Sequence, residues 1–552
     1  MNVTSATCAL SAPEWHRIDW AKTQRMVRKL QIRIVKAIQA GKWGKVKALQ
    51  WLLAHSFSGK AMAVKRVTEN QGKRTAGIDG EIWSTPKAKT EALLSLKRKG
   101  YQPKALRRIY IPKRNGKQRP LDIPTMTDRA MQALYKLALD PVAETLADPN
   151  SYGFRQSRST QDAIARCFYC LCKKTSVKWI LEGDIQSCFN QISHRWLLES
   201  IPMDKGVLAK WLKAGYVEKG QLFPTEAGTP QGGIISPILA NMALDGLEKE
   251  LDTHFSYSER VRRKKRLHFV RYADDFIVTA HSQEMLEQEV KPIIAKFLQE
   301  RGLRLSDEKT RITHIEEGFD FLGFNIRKHQ NKLKIRPSKE SLKAFLSKVR
   351  ALFKQGIALK QEKLILQLNP VIRGWMNYYK AWVSRDILQK VDHEIFRASW
   401  SWARRRHGDK NLGWIRHRYF EGSSWLFKSG ERVLYKARMT ESQRHIKIKS
   451  EANPFDPEWE PYFEKRVYQQ AGNVIGLNPK LKRIWHDQSG HCLQCKGVIT
   501  PETGWHVHHL VPRVAGGTDI LPNLVMLHPN CHRQVHTLNL KLKKPPKWFR
   551  KA

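Results

Sequence analysis

From Asp19 to Ser56 the chain contains no proline, and apolar residues recur at helical spacing at Met26, Leu30, Ile34 and Ile38. This pattern predicts helix over residues 1–60, with Lys and Arg filling the other faces. Residues 60–86 carry turn signals, among them Ala76-Gly77-Ile78-Asp79-Gly80. Residues 107–124 read as a β-hairpin. Arg107-Arg-Ile-Tyr-Ile-Pro112 and Lys117-Gln-Arg-Pro-Leu121 flank Asn115-Gly116, the strongest short-range hairpin signal. From 125 to 345 helical and strand patterns alternate, which predicts an α+β layer fold. Two strand runs stand out, Trp179-Ile-Leu-Glu-Gly-Asp184-Ile185 and Leu267 to Ala280. Residues 340–410 turn helical and hold many Trp and Arg. Residues 420–480 are polar, basic and poorly periodic, broken at Asn453-Pro454 and Asp456-Pro457, and residues 485–540 form a separate unit rich in Cys and His.

Composition narrows the function. A chain of 552 residues predicts roughly three to five domains. Its 98 Lys and Arg against 51 Asp and Glu leave a net charge of +47, an excess that calls for a polyanionic partner, so nucleic acid is the first to consider. An aromatic content of 9% argues against disorder. No apolar run is long enough to span a bilayer, which excludes membrane-spanning helices. The first ten residues lack a basic and apolar signal pattern, so no secretory signal is expected. Eight cysteines in a chain of this length point to a reducing compartment rather than a disulfide scaffold.

Tyr272-Ala273-Asp274-Asp275 lies between two apolar runs, which puts both carboxylates at a hairpin tip. Adjacent carboxylates repel, so this is either a solvated turn or a place where a divalent cation neutralises both. Asp184, at the end of the other strand run, is a third oxygen donor. Three such donors on neighbouring strands suit Mg²⁺ ions, which activate a primer hydroxyl and steady a leaving pyrophosphate. In the C-terminal unit Cys492-x-x-Cys495 and His528-x-x-Cys531 bracket a segment of about 30 residues, the pattern of one tetrahedral structural Zn²⁺. Cys167, Cys170 and Cys172 fall in a helical apolar pattern and read as core. Around Arg373, Trp375 and Tyr378 aromatic and basic residues interleave. That suits either base stacking with phosphate tracking or an aromatic helix core.

Seven stretches in order carry a family resemblance: Arg107 to Pro120, Ser151-Tyr-Gly-Phe-Arg155, Asp184 to Asn190, Thr229-Pro-Gln-Gly-Gly-Ile-Ile-Ser-Pro237, Tyr272 to Asp275, Gly302 to Thr310 and Phe321-Leu-Gly-Phe324. Together they resemble the boxes of reverse transcriptases. The resemblance implies that Asp184, Asp274 and Asp275 are the catalytic metal-binding carboxylates. It implies that Lys113 and Arg119 grip the incoming triphosphate, that Gln231 and Gly232 position template and nucleotide, and that Phe189 excludes a ribose 2′-hydroxyl. Lys309 could protonate pyrophosphate. Two positions depart from the family: Asn190 stands where Asp is frequent, and Asp122 where a small residue is common.

The basic N-terminal extension and the Trp-rich helical region, with Arg373, Trp375 and Tyr378 as RNA-binding candidates, resemble bacterial group II intron-encoded proteins. His508-His509, Asn523 and His532-x-x-x-His536 resemble the HNH, or ββα-metal, nuclease module. There His509 would be the general base, His508, His532 and His536 the ligands of a divalent ion, and Asn523 the residue that orients the His509 loop. The expected architecture is multidomain α+β. Residues 1–85 form a basic helical extension and the start of the fingers, 86–340 a right-hand polymerase fingers and palm, and 341–424 an α-helical thumb or maturase domain. Residues 425–484 form a basic DNA-binding linker, with a plain connector as the other reading, and 485–552 a zinc-stabilised HNH domain. The implied protein is a cytoplasmic, nucleoid-associated reverse transcriptase, splicing cofactor and DNA-nicking endonuclease. Its partners would be intron RNA, double-stranded target DNA and dNTPs, and its cofactors Mg²⁺ and Zn²⁺. The competing readings are a splicing factor with a decayed polymerase and a protein that is chiefly a homing nuclease.

Overall fold

The computed structural model describes residues 12–112, 116, 118–255, 267–423, 425–466, 479–500 and 503–544. The N-terminal helical pattern resolves into three helices, Trp20–Gln39, Trp43–His55 and Phe57–Glu69. Gly41, at φ 67°, turns the chain after the first. Ser56 is extended and accepts the Gly59 amide at 3.0 Å, capping the third. Helix therefore continues nine residues past the expected end at 60. The buried stripe of the first helix runs through Val27, Leu30, Ile34 and Ile38, whereas Met26 turns outward at 46% exposure. All three helices pack on the long helix Met126–Leu146.

The hairpin forms between Leu106–Pro112 and Gln118–Ile123, with Pro112 opposite Gln118. Gly116 in its turn sits at φ 78°, a conformation favourable only to residues like Gly and Asn. A second sheet orders its strands His268–Tyr272, Asp275–Ala280, Trp179–Asp184 and Arg311–His314, all antiparallel. Both of its faces are covered. Leu181, Phe269 and Val278 point into one core, and their neighbours Ile180, Val270 and Ile277 into another. Burial on both sides explains why these strands read as unbroken apolar runs.

Helices Lys339–Gln355, Gln361–Tyr379 and Arg385–Arg406 form a unit with its own core of Phe353, Leu364, Leu368, Val391 and Trp402. The C-terminal unit pairs strands His506–His509 and Leu524–Leu527 and follows them with helix Pro529–Thr537, a ββα arrangement. Its core is continuous with that of the N-terminal helices.

Between these units, residues 440–466 lie as a strap across the back of the sheet. Asp162 anchors it, accepting from Ile448 N at 2.7 Å, His445 Nε2 at 2.9 Å and Arg466 at 2.8 Å. Arg28 donates to the Pro454 carbonyl at 2.6 Å, which ties the strap to the first helix. Among the described residues no helix is long and apolar enough to cross a membrane.

Candidate active sites

Asp184 ends its strand directly opposite Asp275, and Asp274 precedes Asp275 at the hairpin tip. Partial desolvation, then repulsion from Asp274 and Asp184, pushes Asp275 up to about 7. Burial, then the Asp184 charge, raises Asp274 as well. Strain of this kind is relieved by a cation, and an all-oxygen donor set suits a hard one such as Mg²⁺. The Lys309 ammonium already supplies positive charge there, donating to Asp184 Oδ2 at 2.8 Å. The three aspartates do not close into a single shell of ligand atoms within 4.8 Å, as two Cys and His groups elsewhere do.

The hairpin tip is held from behind. Arg271 is fully buried; it pairs with Asp245 and donates to Asn241 Oδ1 and the Ala273 carbonyl, each at 3.3 Å. Ala273 itself is at φ 58°. Gly153 lies so close that a Cβ there would stand 2.3 Å from the Ala273 amide nitrogen, which explains a glycine in Ser151-Tyr-Gly-Phe-Arg155. Sequence reasoning missed Arg271 and Asp245, because a buried ion pair 26 residues apart leaves no local signal.

The other expected residues gather around this cleft. The Arg119 charge is felt at Asp274. Phe189 packs edge-on against Phe154, with ring centroids 6.1 Å apart. Gln231 donates to Asn190 Oδ1 at 3.3 Å, and its carbonyl accepts the Asp122 amide at 2.6 Å. Gly232 is at φ 122°, with a Cβ position only 2.5 Å from the Asp122 carbonyl. Lys113 and Asn115 lie outside the described residues.

In the C-terminal unit the ligand atoms of Cys492, Cys495, His528 and Cys531 all lie within 4.8 Å of one another and are buried. Ligands about 2.3 Å from a tetrahedral zinc sit about 3.8 Å apart, so the set fits. His528 Nε2 donates to the Val498 carbonyl at 3.1 Å, leaving Nδ1, 3.2 Å from Cys495 Sγ, as the ligating atom. Hydrogen bonds from Cys495 and Cys531 hold the Cys492 thiol below its ordinary value, the direction that favours binding a metal. By contrast Cys167 and Cys170 are buried in helix Thr160–Leu171, and burial pushes the Cys167 thiol well up.

His508, His532 and His536 form the second metal-sized group. His508 projects from the first strand, and the other two from one face of the helix. Burial, then neighbouring histidines, lowers His532 to about 4, which keeps it in the neutral form a ligand needs. Asn523 clamps the loop after His509, accepting the Val511 amide at 2.7 Å and donating to the Thr518 carbonyl at 2.9 Å. His509 Nε2–H donates to Asp519 at 2.6 Å, and Arg513 pairs with the same carboxylate at 2.7 Å. Asp519 was not among the sequence candidates; it sits in a loop ten residues on, at no motif spacing.

Four family models match in chain order: the N-terminal domain of reverse transcriptase over 15–96, reverse transcriptase (RNA-dependent DNA polymerase) over 111–326, the group II intron maturase-specific domain over 342–420 and HNH endonuclease over 492–538. Protein YkfC of Escherichia coli is 32% identical over 48% of this chain and 79% of its own length. The group II intron-encoded protein LtrA of Lactococcus lactis is 31% identical over 58% of this chain and 68% of its own. The chain belongs to the group II intron-encoded proteins. A telomerase structure from Candida albicans shares 13% identity over 57% of this chain and 66% of that one, at a TM-score of 0.34, too remote to bear on the fold.

This group II intron-encoded protein therefore has reverse transcriptase, maturase and HNH endonuclease domains, which imply divalent metals and intron RNA. Its maturase domain uses its aromatics differently from the base-stacking expectation. Trp375 stacks on Phe345 with centroids 4.6 Å apart. Tyr378 stacks on Phe324 and donates to the Leu322 carbonyl at 2.9 Å. Tyr378 thus joins the maturase helices to the reverse transcriptase domain, Trp375 packs between two maturase helices, and Arg373 is the exposed member of the three. Asp122, the other departure from the family, is buried under Arg108, which holds it bidentately at 2.7 and 3.0 Å. In the expected DNA-binding linker, His445 and Ile448 serve as anchors of the strap, while Arg444 and Lys449 remain exposed.

Proposed function

We propose that this protein copies its intron RNA into DNA at a nick that it makes itself. The reading is supported above all by the two acidic and histidine-rich centres lying in one chain with a maturase domain. Fingers and palm run from 86 to 340 after the helical extension 1–85, the thumb from 341 to 424, the DNA-binding region from 425 to 484 and the nuclease from 485 to 552. Asp184, Asp274 and Asp275 would hold Mg²⁺, which supplies activation of the primer hydroxyl and charge neutralisation at pyrophosphate. Arg119 and Lys113 hold the triphosphate, Phe189 excludes ribonucleotides, Gln231 and Gly232 seat the templating pair, and Lys309 releases Asp184 to protonate pyrophosphate. In the nuclease His508, His532 and His536 would hold a divalent ion that polarises the scissile phosphate. His509 takes the proton of the attacking water while Asp519 fixes its tautomer. Zn²⁺ at Cys492, Cys495, His528 and Cys531 is structural.

The maturase helices and the basic N-terminal helices bind the intron RNA and stabilise its active fold, Arg373 through phosphate. The RNA inserts into one strand of double-stranded target DNA, the nuclease cuts the other, and dNTPs extend that end. Keeping copying and cutting in one cytoplasmic, nucleoid-associated ribonucleoprotein delivers the new 3′-end at high effective concentration. The test is Mg²⁺-dependent extension of a DNA primer on an RNA template by wild type and Asp274→Asn. Extension by wild type alone supports the reading. Extension by neither, with RNA binding intact, moves the protein to the class of splicing factors without a polymerase.

A further inference from the structure

We propose that the zinc centre is also the joint by which the nuclease docks on the N-terminal helices, with Lys65 as its built-in counter-cation and Lys89 tied in through Glu69. This rests on the zinc reading of Cys492, Cys495, His528 and Cys531. A Zn²⁺ ion with three thiolates and a neutral imidazole carries a net charge of minus one. Burying an uncompensated charge is costly, and these four residues are at most 4% exposed.

The compensating charge comes from outside the nuclease. Lys65, on helix Phe57–Glu69, is 7% exposed, and Lys89, on helix Pro86–Ser95, is 4% exposed. Lysines are seldom buried to this degree without a partner. The Lys65 ammonium lies 4.7 Å from the centre of the Trp20 ring, and its charge acts on Glu69 and on the thiols of Cys495, Cys531 and Cys492. Lys89 lies 5.7 Å from the Trp15 ring, where the Arg533 charge opposes it and Glu69 favours it. Glu69 Oε1 is enclosed without a hydrogen-bond partner, and its carboxylate senses both lysines and His528. Two ammonium groups, one carboxylate and a zinc centre of minus one cancel. Without the metal and with the thiols protonated, the same cluster keeps an unbalanced positive charge. The nuclease's own nearby cations, Lys496 and Arg533, are exposed.

The polar contacts around this cluster run between the same two parts. Trp15 Nε1 donates to Asn530 Oδ1 at 2.8 Å, and Gln534 Nε2 to the carbonyls of His16 and Ile18 at 2.7 and 3.0 Å. Gly497 abuts Gln24, and a Cβ there would meet Oε1 at 2.8 Å. Zinc loading and docking are therefore thermodynamically linked: whatever favours one favours the other.

The test uses the whole chain, zinc-loaded and zinc-stripped, with zinc release to a chelating dye and hydrogen–deuterium exchange of residues 57–69 as readouts. The wild type should hold one zinc, and stripping it should speed exchange across 57–69. Lys65→Met should lose zinc about 10–100-fold more readily, the range for outer-shell partners of a metal site. Glu69→Gln, which removes a competing negative charge, should hold zinc at least as tightly as wild type. Exchange over 57–69 that ignores zinc overturns the proposal, even if Lys65→Met fails to fold. Equal loosening by Lys65→Met and Glu69→Gln also overturns it, because mere packing does not depend on the sign of the charge. A wild type without zinc overturns the zinc reading beneath it, a result distinct from both.

Discussion

Gly153→Ala tests whether the reverse transcriptase centre depends on the close seating of one turn. The added Cβ would stand 2.3 Å from Ala273 N, 2.9 Å from Tyr272 C and 3.0 Å from Ala273 Cα. Non-bonded atoms settle at about 3.5 Å, so something must yield by about 1 Å. The Gly153 side is held fast. Tyr152 N donates to the Arg271 carbonyl at 2.9 Å, and Asn241 donates to the Gly153 carbonyl at 2.8 Å. Displacement therefore falls on Ala273, which is already at φ 58° and is joined to Asp274. A shift of about 1 Å in a reacting group costs about 100-fold in rate, whereas overpacking costs about 1–3 kcal/mol of stability. Single-nucleotide extension on an RNA template should fall about 100-fold, with nicking and RNA affinity within twofold of wild type. Extension near the wild-type rate would refute the claim that this contact sets the position of Asp274.

His509→Ala should abolish DNA nicking and leave primer extension near wild type; an equal loss of extension would show that the two centres are not separate. Trp375→Ala should cost about 3 kcal/mol in a denaturant melt, because it removes the ring stacked on Phe345. Arg373→Ala should cost the melt no more than about 1 kcal/mol, since its guanidinium lies 4.9 Å from the Tyr435 ring centre, and reduce the salt slope of RNA binding by about one. Burial opposes the ionised form of Asp162, but hydrogen bonds and charge from His445 and Arg466 overcome it and hold the carboxyl at about 2. A depressed carboxylate contributes stability that is present above the unfolded value near 4 and is lost as the pH falls towards 2. Asp162→Asn should therefore destabilise the chain at pH 7 and remove that part of the acid dependence, as followed by fluorescence.

Features decided by local chemistry were readable from the sequence. The Asn115-Gly116 turn, the apolar runs ending in Asp184 and flanking Asp274-Asp275, and the spacing of Cys and His all carry their signal within a few residues. What was not readable depends on which surface meets which. Nothing local tells that Trp375 finds Phe345 rather than a base, or that Met26 faces outward while Val27 turns in. The linker looked unstructured because its order comes from Asp162, 286 residues from Ile448 and 304 from Arg466. Asp519, Arg271 and Lys65 were invisible for the same reason. Each matters through a partner that only the fold supplies.

The contact between Trp15 and Asn530 spans 515 positions of the chain. A ribosome adds about 5–20 residues per second, so the first helix emerges roughly half a minute to two minutes before the segment that covers it. Through that interval the part of the surface around Trp15 that meets Asn530 and Gln534 waits uncovered. Nascent chains cut short before residue 530 leave that apolar face open to chaperones and proteases. Synthesis of the helix that carries Asn530 and Gln534 is in this way the step that closes the N-terminal face.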